Sequence, residues 1–156
     1  MLKKISKFLL KTNSVLFVFI TYLFTIIILD FPFLLLINHF ELSIGGTNLI
    51  NNLNLPKMLF LGVLFIPIIE TAIFQIGIIK LFLLIFPKYT IISIVASATF
   101  FSFAHSYSVY YIIYMFLIGV VLASLFFIAN KKKINPFWTI FSVHALHNLT
   151  VVLINY

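Results

Sequence analysis

Four residues set in apolar sequence have side chains suited to acid–base chemistry or to holding a developing charge: Glu70, His105, His144 and Asn148. Glu70 falls in the apolar stretch Met58–Phe86. A charge at mid-bilayer costs about 2.5–3.5 kcal/mol even on lenient insertion scales, which makes such an acid a functional-site candidate. A carboxylate beside one imidazole can take a proton from water. A second imidazole and a carboxamide N–H can stabilise an oxyanion. Together these are the parts for amide hydrolysis without a covalent intermediate. No Ser/His/Asp set stands out, although Ser102 lies near His105, and the absence of cysteine removes a thiol nucleophile and thiolate zinc sites. There is no H-E-x-x-H. Imidazole and carboxylate are nevertheless both zinc ligands, so the residue types leave a metal-free and a zinc mechanism open.

Spacing supports one site. His144 and Asn148 are four residues apart and share a helix face, with His147 beside them; Phe101 and His105 form another such pair. Depth agrees. Glu70 is 12 residues past Met58, about 18 Å below the outer face at helical rise. His105 lies about 22 Å above the inner face, and His144 and Asn148 about 12 and 18 Å above it. In a core about 30 Å thick all four share a central layer. His147 is expected to hydrogen-bond between helices. Asp30 and His39 are expected near the outer interface, solvated.

The elements that must carry these residues are membrane spans. The chain has 156 residues, 63% of them hydrophobic and only 8% charged. One soluble core of this size could not cover that much apolar surface, so an all-α, polytopic transmembrane bundle is expected. Apolar runs place five spans at Val15–Ile37, Met58–Phe86, 90–107, 109–129 and 136–154, with Pro67 as a kink in the second. Lys80 snorkels near the end of that span. Lys3, Lys4, Lys7, Lys11, Lys88 and Lys131–Lys133 then share one side, and the positive-inside rule makes it the cytoplasm, N-in and C-out. The net charge of +7 therefore reads as topology rather than nucleic-acid binding. The ten basic residues include no Arg, and with many Ile, Phe, Asn and Tyr this points to an AT-rich, bacterial coding sequence.

Three motifs resemble those of the CAAX-protease and bacteriocin-processing (CPBP, or Abi) family of intramembrane proteases. The family's E-E-x-x-x-R is seen as Glu70-Thr-Ala-Ile-Phe-Gln75, preceded by Pro67. Its F-x-x-x-H is Phe101-Ser-Phe-Ala-His105, and its H-x-x-x-N is His144-Ala-Leu-His-Asn148. The resemblance covers about residues 58–152 and divides the chain into an N-terminal segment, 1–57, and a catalytic membrane core, 58–156.

The resemblance implies that Glu70 and His105 activate water while His144 and Asn148 hold the oxyanion. Thr71, Gln75, Phe101 and His147 would support them. It favours no cofactor; zinc held by Glu70, His105 and His144 is the alternative. Thr71 and Gln75 replace a glutamate and an arginine read as an ion pair in other members. Both are neutral and able to hydrogen-bond, so no buried charge is orphaned. The implied partners are membrane lipid and a membrane-associated peptide or protein substrate, with no nucleic acid and no particular oligomeric state. The implied place is the bacterial cytoplasmic membrane, multi-pass, and the implied role is peptide maturation, export or bacteriocin self-immunity, not the cleavage of prenylated CAAX tails. The competing readings are a non-enzymatic immunity or scaffold protein and a small proton-coupled transporter, which five spans without a repeat argue against.

Overall fold

The computed structural model describes residues 10–42 and 53–155. Five helices account for most of them, and no strand occurs among the described residues. We number them α1 (Ser14–Phe40), α2 (Leu55–Ile85), α3 (Thr90–Phe103), α4 (Val109–Lys132) and α5 (Pro136–Asn155). All except α3 are long and apolar enough to cross a membrane. Their outward faces carry apolar side chains such as Phe31, Leu84, Ile91 and Val109, as a lipid solvent requires.

Local chemistry sets the ends. The Asn13 side chain accepts from Leu16 N–H at 2.8 Å and starts α1. Asn54 does the same for α2 through Lys57 N–H, and Ser108 for α4 through Tyr111 N–H. Lys133 closes α4 in a left-handed conformation, with φ of 59°. The α4 C-terminus lies beside the start of α1: Lys132 Nζ donates to Thr12 O at 2.8 Å and to Leu10 O at 3.1 Å. The lysine-rich end of α4 and the N-terminal end of α1 are thus on one side, as the charge distribution predicts.

α4 is the most buried of the long helices, with Met115, Ile118, Leu122 and Phe126 in the core. α3 lies against it at Gly119, where an added Cβ would come within 2.9 Å of Ala98 Cα. That approach exists because residue 119 has no side chain. Ser97 Oγ donates to Phe74 O of α2 at 2.9 Å, tying α3 to its other neighbour.

Two differences from the sequence reading matter for the site. The third span was expected to run to 107, but α3 ends at Phe103 and His105 lies in the turn that follows. Its imidazole Nδ1 donates to the Phe101 carbonyl at 2.8 Å, capturing one of the carbonyls a helix end leaves open. The second difference is in α2. Pro67 was expected as a kink; around it the winding widens to i→i+5, over Leu59–Phe65 before it and over Thr71–Ile78 after it. A widened turn accommodates a residue that cannot donate. The same winding occurs at Ile26–Asp30 in α1, just before Pro32.

Candidate active site

Glu70 stands at the meeting point of α2, α5 and the turn after α3. His105 Nε2 is 3.4 Å from Glu70 Oε1, and His144 Nε2 is 3.5 Å from Glu70 Oε2. Each carboxylate oxygen therefore faces its own imidazole. The His105 ring is oriented by its Nδ1 bond to Phe101 O, which leaves Nε2 for Glu70. Phe101, fully buried, lies against both rings: its centroid is 4.6 Å from that of His105 and 5.7 Å from that of His144, the latter edge-on. The F-x-x-x-H motif thus packs one histidine through its neighbour one turn earlier and steadies the other across the bundle.

The two imidazoles differ in access. His144 is buried at the α5–α2 contact, whereas His105 and Glu70 keep 14% and 16% of their side-chain surface exposed. A carboxylate and an imidazole that both touch open space can hold a water between them. A buried imidazole cannot exchange protons as freely and is suited to a fixed donor role.

Asn148 lies one turn beyond His144 on α5. Its Nδ2 donates to Gly62 O of α2 at 2.8 Å. His147 Nδ1 is 3.4 Å from Asn148 Oδ1. Glu70, His105 and His144 are thus in mutual contact through the carboxylate, while Asn148 is fixed beside them by α2.

Asp30 is a correction. It is not a free group at an interface: Oδ2 is 3.1 Å from His147 Nε2, and its side chain is about as exposed as that of Glu70. Tyr114 donates its hydroxyl to Asp30 Oδ1 at 2.8 Å and also lies 3.1 Å from His147 Nε2. His147 does link helices, as expected. Sequence reasoning missed Asp30 and Tyr114, although the argument that singles out Glu70 applies equally to a second acid in an apolar helix. His39 is exposed, in line with its expected place.

Thr71 and Gln75 are fully buried one turn apart, next to Glu70. Neither carries charge, so no ion is orphaned, as anticipated. The expected hydrogen bonds are not supplied by protein groups: Thr71 Oγ1, both Gln75 side-chain polar atoms and His144 Nδ1 have no partner among the described residues. Nor is there, among the described residues, a group of three His, Asp or Glu side chains placed to hold a metal ion. No step below is routed through a metal.

A model of the type II CAAX prenyl endopeptidases, Rce1-like, matches residues 52–150, more than half of the chain. The chain belongs to the Rce1-like family. The match takes in all three motifs and nearly the whole of α2 to α5, and it leaves α1 outside. No curated protein and no solved structure gives a match. Membership in the Rce1-like family, with four membrane-length apolar helices, identifies a multi-pass membrane protein of the CAAX-type protease class.

Proposed function

We propose that this chain is an intramembrane endopeptidase of a bacterial cytoplasmic membrane, cleaving a membrane-associated peptide or protein by glutamate-activated water. The observation that carries the reading is the placement of His105 and His144 on opposite oxygens of one intramembrane carboxylate, at 3.4 and 3.5 Å. Glu70 and His105, the two partly open groups, take the proton from an attacking water. The water oxygen bonds to the scissile carbonyl carbon, and the carbonyl oxygen becomes the oxyanion. His144 and Asn148 face that charge. Glu70 returns the proton to the leaving amine, whose C–N bond breaks.

In a bacterial setting peptide maturation, export or self-immunity against a bacteriocin fits this chemistry. The test compares terminal peptides in membranes carrying the wild-type chain and the Glu70→Gln chain at equal abundance. The wild type is expected to release termini that the variant does not. Equal release from a folded Glu70→Gln chain would sink the protease reading and favour a non-enzymatic immunity or scaffold role. Wild-type release that persists in chelator, with no metal bound to the purified chain, is the expected result for a metal-free reaction.

A further inference from the structure

Asp30 and the buried Tyr114 and His147 form a second polar cluster that the chemistry above does not use. It ends on Asn148, since His147 Nδ1 is 3.4 Å from Asn148 Oδ1. The other end of that amide donates from Nδ2 to Gly62 O at 2.8 Å.

Hydrogen accounting gives the cluster a direction. Gly62 O can only accept, so Nδ2 faces it and Oδ1 faces His147. Oδ1 also only accepts, so the 3.4 Å contact is a hydrogen bond in the tautomer that carries its hydrogen on His147 Nδ1. His147 Nε2 is 3.1 Å from Asp30 Oδ2, so Asp30 holds the ring from the side opposite Asn148. Tyr114, donating to Asp30 Oδ1, fixes the carboxylate. A hydrogen bond onto Oδ1 polarises the amide and makes Nδ2 a better donor.

Gly62 O is open for a reason that lies in the sequence. In the widened winding before Pro67, Ile66 N–H donates to Leu61 O, five residues back. The next amide in that register would reach Gly62 O, but residue 67 is proline and has no N–H. Asn148 fills the place. Nδ2 carries two hydrogens, and Gly62 takes one.

The geometry points to Asp30, His147 and Pro67 as positioning residues that clamp the Asn148 amide from both ends and keep its second N–H available to the reaction. The inference rests on the reading of Asn148 as an oxyanion donor, whose effect depends on being set before the charge develops. It also gives α1, outside the matched segment, a part in the site.

The full chain, labelled with ¹⁵N-asparagine in lipid nanodiscs, provides a readout separate from turnover. The Asn148 side-chain amide resonance is identified by its loss in Asn148→Asp. It is expected to shift in Pro67→Ala, which returns a competing N–H to Gly62 O, and in Asp30→Asn, which weakens the hold on His147. Terminal-peptide release from membranes is expected to fall roughly tenfold in both, short of the loss of about 10²–10³ for removing an oxyanion donor outright. Asp30→Asn is the sharper variant, because it leaves the winding of α2 and the Gly62 carbonyl as they are. An Asn148 resonance unmoved in both variants overturns the inference. If Glu70→Gln keeps full release while the resonance moves, the shift upholds the clamp and the protease reading is what fails.

Discussion

At the scale of single residues, each polar group of the site has one neighbour that sets its direction. Phe101 O orients His105, Gly62 O orients Asn148, and Phe101 packs against both His105 and His144. Asn148→Ala is therefore expected to lower turnover by about 10²–10³ and to lower thermal stability modestly, because it removes a donor and leaves Gly62 O and His147 Nδ1 without that partner. Comparing initial rates and thermal unfolding of the two chains checks it. Glu70, His105, His144 and Asn148 were legible in the sequence because a polar side chain in apolar surroundings stands out. Asp30 was equally visible but was assigned to the interface by counting along α1. Counting gives depth and not facing, and the facing of Asp30 toward His147 depends on how α1 packs.

At the scale of elements, the spans and their order could be read from apolar runs, and their ends only to within a few residues. Of the turn at 104–108 only the break at 108 was read, because counting along the apolar run placed His105 and Tyr107 within the third span. The widened windings of α2 were not legible either: proline announces a missing donor, but not the register the helix adopts around it. The α3–α4 contact yields a sharp expectation. A Cβ on Gly119 would stand 2.9 Å from Ala98 Cα and 3.2 Å from Phe101 Cδ1. Gly119→Ala should push α3 away and disturb the ring that steadies both imidazoles. Overpacking of this kind costs about 1–3 kcal/mol. A lower midpoint of thermal unfolding together with lost turnover is expected, and an unchanged midpoint would show that the two helices separate without strain.

At the scale of the molecule, two of the three acidic residues and three of the four histidines lie in one pair of linked buried clusters. α1 joins them to the rest through Asp30, and Tyr22 of α1 hydrogen-bonds Thr150 of α5 at 2.7 Å. The family match begins at residue 52, after α1. The brevity of α3 has a consequence for the lipid. Fourteen residues extend about 21 Å, less than a hydrocarbon core of about 30 Å, so an α3 begun at one interface ends short of the other. The distance water must travel to Glu70 is then set by acyl-chain length. Turnover in proteoliposomes should fall as the acyl chains are lengthened at constant incorporation of protein, and a rate indifferent to that series would put the turn at the surface. Membrane thickness would in that way act on the reaction as a pressure gauge acts on a valve, with the bilayer itself as the regulator.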